Sequence, residues 1–193
     1  MKKIQLKMLG FAQLPGNFDT YLMILIEIEG NRALTMSVGA LEAKAVAIAL
    51  ENVHTIRPMT HDLIKTIIYA ADLVLKEVLL CDLKEDTYFA RLIFEDDIEV
   101  DCRPSDAIAI AIRCNVPIFI NEDILEAVGV ERQVDKVEDI LKNKIPFYDT
   151  INEENKILRI EILKQKLDNA IKNEEYEEAA RIRDELNHII SGN

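Results

Sequence analysis

The polar residues that could act together on a substrate fall into three short words. They are Gly39-Ala40-Leu41-Glu42-Ala43, Arg57-Pro58-Met59-Thr60-His61-Asp62-Leu63 and Asp101-Cys102-Arg103-Pro104-Ser105-Asp106-Ala107-Ile108-Ala109. Glu42, Asp62, Asp101 and Asp106 offer carboxylate oxygens, the ligand type that a hard cation such as magnesium or manganese takes. Arg57 and Arg103 could clamp a phosphate through paired N–H groups, and His61 could move a proton near neutral pH. Together these are the parts of a metal-assisted phosphodiesterase. Each residue also has a structural reading. Thr60 as N-cap and Asp62 in the first turn suit the start of a helix, Asp106 balances a helix dipole, Pro104 fixes a corner, and Arg103 could simply pair with Asp101 or Asp106.

The elements that must position these words follow from hydrophobic period and turn signals. Ile4–Met8, Tyr21–Glu29 and Ala33–Val38 read as strands, the last two joined at Glu29-Gly30-Asn31. The alanine- and leucine-rich run Leu41–Leu50 reads as a helix, and a second begins at Thr60 and carries Leu63, Ile64, Ile67 and Ile68 at helical spacing. Strands recur at Leu73–Leu83, Thr87–Phe94 and Ile98–Cys102. Ala107–Ile112 alternates as a strand would, but Pro104, Ser105 and Asp106 make a helix start, so a helix is expected there. Val116–Ile120 reads as a closing strand, and 121–149 as small helices and a connection.

The two halves resemble each other. Asp19-Thr20-Tyr21 and Asp86-Thr87-Tyr88 each open a strand, and Ala45–Leu50 parallels Ala107–Ile112. A duplicated β-hairpin-helix unit is therefore expected, with both copies in one sheet. The first and third polar words become equivalent strand-to-helix corners that could face one crevice. The predicted fold is α+β: a mixed sheet with packed helices over residues 1–149, followed by an α-helical hairpin over 150–193.

That hairpin is read from two helical stretches, about Glu153–Lys172 and Tyr176–Ile190, around Asn173-Glu174-Glu175. Ile160, Leu163, Leu167, Ala170 and Ile171 form one apolar stripe; Tyr176, Ala179, Ala180, Ile182, Leu186 and Ile189 or Ile190 form the other. So short a link makes the stripes fold back on each other. Two helices of this length bury little alone, so pairing with a protein partner or a second copy is expected.

Composition narrows the field. With 35 acidic and 23 basic residues in 193, the formal net charge is −12, which repels phosphate backbones at long range unless a local basic groove or a bound cation reverses the field. Cys81, Cys102 and Cys114 are too few and too scattered for a disulfide framework and form no CxxC pair. No signal peptide or membrane-spanning run is evident, so cytoplasmic residence is expected. His54 has no obvious carboxylate neighbour in sequence, His188 falls on the last helix where it is expected to be exposed, and no P-loop, dinucleotide fingerprint, GxSxG or HExxH word occurs.

Two resemblances carry these expectations further. Leu163, Leu167 and Ala170, with Glu175-Tyr176-Glu177-Glu178-Ala179-Ala180-Arg181-Ile182-Arg183-Asp184, resemble the UVR motif of the UvrB and UvrC repair proteins, whose hairpin pairs with another hairpin. The resemblance makes Leu163, Leu167, Tyr176, Ala179, Ala180 and Arg183 candidate partner-binding residues. The second and third polar words resemble those of the bifunctional nuclease domain family over about residues 1–145, whose members are described as acting on RNA and DNA. The first word departs from that family's usual proline and aromatic residue before the glycine, having Thr35 and Ser37 instead. The resemblance implies a nuclease with His61, Asp62, Asp106, Arg103 and Arg57 as catalytic candidates and Glu42, Asp62, Asp101 and Asp106 as metal candidates. The alternative is a non-catalytic adaptor docked to a repair or proteolysis machine, which the acidic charge favours.

Overall fold

A computed structural model describes residues 2–13, 19–53, 55, 57–131 and 146–191. The chain divides into two compact units: Met1–Asn52 with Pro58–Ile145, and Val53–Arg57 with Pro146–Asn193. His54 and the charged stretch after Glu131 as far as Ile145 lie outside the described residues.

In the first unit, β1 (Lys3–Gln13), β2 (Thr20–Glu27) and β3 (Arg32–Gly39) form an antiparallel meander that feeds α1 (Ala40–Leu50). After α2 (Thr60–Ala70) the same order recurs, with β4 (Leu75–Lys84), β5 (Thr87–Phe94) and β6 (Glu99–Cys102) feeding α3 (Pro104–Cys114). β7 (Ile118–Asn121) then enters between the two meanders, antiparallel to β1 and parallel to β4. α4 (Glu122–Val128) and the two-residue β8 (Val130–Glu131) follow, β8 pairing with β3. The result is one eight-stranded mixed sheet in the order β6-β5-β4-β7-β1-β2-β3-β8. The α+β expectation holds, and both halves share the sheet.

The turns explain the strand ends. Glu85 and Asp86 between β4 and β5, and Asp96 and Asp97 between β5 and β6, have φ of 47°, 59°, 56° and 58°. Two consecutive left-handed residues make the tight turn whose twist suits a hairpin, and aspartate tolerates that region better than most residues. The alternating Ala107–Ile112 run is helical because it is covered on several sides at once. α3 packs on α1, on α2 and on β4 and β5, and Ala107, Ile108, Ala109, Ile110 and Ala111 are all buried. With every side covered, the usual polar stripe of a surface helix is missing, and the alternating pattern carries no sign of period.

Helix α2 corrects one expectation. Met59, not Thr60, is the N-cap residue, and Thr60 is the first helical residue. The cap comes from within the helix, since Met59 N donates to Asp62 Oδ2 at 3.0 Å. A carboxylate at the third helical position reaching back to the cap N–H replaces the side-chain cap that Thr60 was expected to give.

The second unit is the expected helical pair, α5 (Pro146–Lys172) and α6 (Tyr176–Ser191). α5 starts seven residues before the expected Glu153 because Pro146, read as ending the preceding segment, opens it, as proline can at a first helical position. Glu174 at φ 62° ends α5, and Glu175 N donates to Ala170 O at 2.9 Å across the turn. Leu163, Ala170, Ala179, Ile182 and Leu186 pack together with Leu167 and Ile189 against them, and Arg159 Nη2 reaches Glu185 Oε1 at 2.7 Å. Tyr176 is 68% exposed and Ile171 51% exposed, so these two, read as part of the apolar seam, lie outside it. Both flank the turn, where the helices have run out of facing surface. Among the described residues no helix is long and apolar enough to cross a membrane.

Candidate functional site

Two equivalent corners meet in the first unit. β3 runs into α1 at Gly39, which puts Glu42 at the third helical position; β6 runs into α3 at Arg103, which puts Asp106 there. α1 and α3 pack against each other, and both are rich in alanine on the buried side, which lets their backbones approach. Arg103 bridges the corners. Its Nε donates to Asp106 Oδ2 at 2.8 Å, its Nη2 to Asp106 Oδ1 at 3.3 Å, and its Nη1 to Glu42 Oε1 at 3.1 Å.

The second polar word joins from α2. His61 Nε2 lies 3.1 Å from Asp106 Oδ1, its side chain only 13% exposed while that of Arg103 is 66% exposed. Glu42, His61, Arg103 and Asp106 line one open cavity of about 470 Å³, together with Lys44, Thr60 and the apolar stems of Leu41, Met59 and Ile64. On the other side of the Arg103–Glu42 bridge lies a second cavity of about 470 Å³, with Gly39, Tyr88 and Ser105 in its wall, and with Thr35 and Ser37, the two residues where the first word departs from its usual form. Gly39 is what lets Glu42 fold back over the corner, because a Cβ there would stand 2.6 Å from Glu42 Oε2.

Electrostatics fix the charge states. Burial raises Asp106, but hydrogen bonds and charge from Arg103, then His61, outweigh it and hold the carboxyl below its usual range. The site therefore presents an ionised carboxylate to His61, which can set the imidazole's orientation and steady its protonated form.

Asp62 has a different role. Its Oδ1 accepts from Arg113 Nε at 2.6 Å and its Oδ2 from Met59 N. Burial raises its pKa; the Arg113 and Met59 hydrogen bonds lower it further than that, and the net shift is downward. Arg113, in the last turn of α3, was not singled out in the sequence. Its side chain is 5% exposed, and its Nη1 donates to Ala45 O at 3.0 Å and Ala109 O at 3.1 Å. One cation thus ties α1, α2 and α3, the three helices that carry Glu42, His61 and Asp106. Its Nη2 is buried and has no acceptor among the described atoms. The signal was present: Arg113 is the one charge in the run Ala107–Cys114, and a buried charge is rarely left without a partner.

The remaining candidates lie elsewhere. Asp101 is exposed on β6 opposite Arg91 and lines neither cavity. Arg57 is exposed and falls in the second unit. Glu42, Asp62, Asp101 and Asp106 are not gathered into one set, and among the described residues no three His, Cys, Asp or Glu side chains form a group that could hold a metal. With Asp106 and Glu42 engaged by Arg103, and Asp62 by Arg113, the donor set as arranged does not fit a divalent cation. Cys102 is no nucleophile, because burial and then Asp101 push its thiol up to about 12. His188 is exposed on α6. In the second unit, Leu163 and Ala179 are buried in the seam while Tyr176 and Arg183 are exposed.

The comparisons agree with this geography. The bifunctional nuclease domain matches residues 23–133, and the UvrB/uvrC motif matches 158–189. An uncharacterized protein of Mycobacterium tuberculosis is 44% identical over 109 residues, 56% of this chain and 66% of the relative. Bifunctional nuclease 2 of Arabidopsis thaliana is 26% identical, covering 88% of this chain and 56% of the relative. Bifunctional nuclease 1 of Oryza sativa subsp. indica is 29% identical over 109 residues, 52% of this chain and 33% of the relative. The chain spans just under two thirds of the mycobacterial relative, and about half and a third of the two plant ones. The nuclease-domain match takes in more than half of the sequence, with Glu42, His61, Arg103 and Asp106 inside it, so the chain belongs to the bifunctional nuclease domain family.

Proposed function

We propose that the first unit cleaves phosphodiester bonds in nucleic acid at the cavity around His61, and that the helical pair docks a protein partner or a second copy of the chain. The observation that carries the first part is the contact of His61 with an ionised Asp106 whose other oxygen holds Arg103. His61 takes a proton from the attacking water as its oxygen bonds to phosphorus, Asp106 steadies the imidazolium that results, and that proton passes to the leaving oxygen as its P–O bond breaks. Arg103 is exposed enough to turn outward and balance charge on the phosphoryl oxygens, which a planar guanidinium does well. The neighbourhood also suits an anion better than the acidic whole does, because Arg103 and Lys44 stand at the cavity and two helix N-termini point toward the corner.

The test is cleavage by the full chain of single- and double-stranded DNA and RNA, with magnesium, with manganese and with EDTA. His61→Ala should lose about 10²- to 10⁴-fold in rate, the usual worth of a general acid or base, with Arg103→Ala and Asp106→Ala also impaired. Equal cleavage by wild type and His61→Ala overturns the site. Activity abolished by EDTA would overturn the metal-free arrangement proposed for this site.

A specific observation favours the second reading, a non-catalytic adaptor: Arg103 is already engaged by both Glu42 and Asp106. Absence of cleavage under every condition, with the isolated hairpin still capturing the partner, would favour it. For the hairpin itself, sedimentation of the full chain against Ile157→Glu/Ile171→Glu should show loss of association, since both side chains are exposed on α5 and, about four turns apart, share one face; unchanged association would reject docking through that face.

A further inference from the structure

The second cavity is separated from the first only by residues common to both. Arg103 and Glu42 are part of both walls, so a group held on Arg103 has one space on the His61 side and another beyond it. That further space is about 470 Å³, within the ~300–1,000 Å³ that small-molecule sites occupy. Its walls mix two chemistries. Tyr88 contributes a half-buried ring, backed by the thioethers of Met23 and Met36, 0% and 4% exposed. Thr35, Ser37 and Thr87 contribute hydroxyls, and Asp86 a carboxylate. A long acyl chain would leave those polar groups facing apolar carbon, and a free sugar would leave the ring and thioethers unused. A flat heteroaromatic with donors on its edge uses both.

From this lining we infer that the second cavity is a subsite for one unpaired nucleobase of a nucleic acid strand whose phosphate lies on Arg103, with preference for bases that carry an exocyclic amine. The inference takes from the proposed function only that a phosphodiester sits at Arg103. The ring of Tyr88 supplies a stacking face, as aromatic side chains do for single-stranded nucleic acid. Burial, then Asp86, pushes the Tyr88 phenol up, so it stays a neutral donor. Asp86 and Glu42 place carboxyl oxygens as acceptors on this wall, which favours adenine, cytosine and guanine amines over the carbonyl-rich edge of uracil or thymine. A base inside a duplex has both faces covered by its neighbours and must leave the stack to enter. Single-stranded or opened substrate is therefore the form recognised, and a strand threads past the bridge with its base on one side and its scissile phosphate on the other.

The methionines report on this directly. Of the five, Met23 and Met36 line the second cavity, Met59 lines the first, and Met8 is buried in β1 and lines neither. The full chain, labelled with ¹³C-methyl methionine, is titrated with AMP, GMP, CMP and UMP, and separately with ribose 5-phosphate and inorganic phosphate. The nucleotides should move the Met23 and Met36 methyl signals and leave Met8 in place, and CMP should bind more tightly than UMP. Ribose 5-phosphate and inorganic phosphate should leave Met23 and Met36 unmoved. Tyr88→Ala should weaken nucleotide binding about tenfold, in line with the loss of one base–aromatic stack. Should Tyr88→Ala fail to fold, Asp86→Asn serves, since asparagine accepts the φ of 59° at that turn position equally well; it should narrow the gap between CMP and UMP. Met23 and Met36 signals that ignore saturating nucleotide, or that respond equally to inorganic phosphate, overturn the subsite. The outcomes separate cleanly from the catalytic reading: cleavage without these shifts sinks the subsite alone, and these shifts without cleavage sink the catalysis alone.

Discussion

α3 has an arginine near each end, and the two could hardly differ more. Arg103, at the N-cap, is 66% exposed and shared between two carboxylates on different helices. Arg113, in the last turn, is 5% exposed and locked to one carboxylate and two backbone carbonyls. The first is a cation that can turn outward at little cost; the second cannot move without leaving a buried charge unpaired. The same side chain, ten residues apart on one helix, thus serves once as a contact for a ligand and once as a strut, and burial alone separates the roles.

The strongest way to break this contrast is to remove the strut. Arg113→Met should destabilise the first unit by about 3 kcal/mol, about 1 kcal/mol for each hydrogen bond that Arg113 gives to Asp62, Ala45 and Ala109, seen as a large fall in the urea midpoint. A loss below about 1 kcal/mol would place Arg113 with the surface pairs.

Next comes the carboxylate it holds. Asp62 and Asp106 both have folded pKa values below the unfolded one. Their contribution is therefore complete above the ordinary carboxylate pKa of about 3.9 and is lost as pH falls through the folded values. Asp62→Asn should lower stability by about 1–3 kcal/mol at pH 7, because Arg113 loses its counter-charge, and by less at pH 3. A constant gap at both pH values, in paired urea titrations, would deny the linkage.

Arg103→Ala should be the opposite case, costing at most about 1 kcal/mol in stability while abolishing binding of phosphate-bearing ligands. The smallest effect belongs to Gly39→Ala. The backbone there is already extended at φ −70°, so the cost to folding is only the lower standing of alanine than glycine at an N-cap, about 0.5–1 kcal/mol. The new methyl must nevertheless displace the Glu42 carboxylate, and Arg103 should then turn to phosphate more readily, visible as tighter binding. Weaker binding would make Glu42 a partner of the ligand rather than a competitor for Arg103.

Much of this was legible beforehand, for reasons that particular residues make plain. The strand Thr87–Phe94 and the starts of α3 and α6 were read to the residue, because a sharp turn or a proline marks each boundary. The convergence of the first and third polar words followed from the repeated strand-strand-strand-helix order. Asp62 and Arg113 were not legible as a pair, since they are 51 residues apart and meet only when α2 lies on α3. Asp101 illustrates the converse: two residues before the α3 cap, it seemed part of the third word, but strand alternation turns it to the opposite side from Cys102. Tyr176 looked like seam by spacing, and its place at the first residue of α6 leaves it without a facing neighbour.

β7 is the last long strand of the first unit along the chain and yet occupies the middle of its sheet. Either three-stranded ribbon can zip up from local turns as soon as it leaves the ribosome, but neither can join the other until Ile118–Asn121 emerge and wedge between them. Assembly therefore waits on its keystone, and a nascent chain halted before Ile118 would hold two half-sheets with raw inner edges, the species most prone to stick to its neighbours.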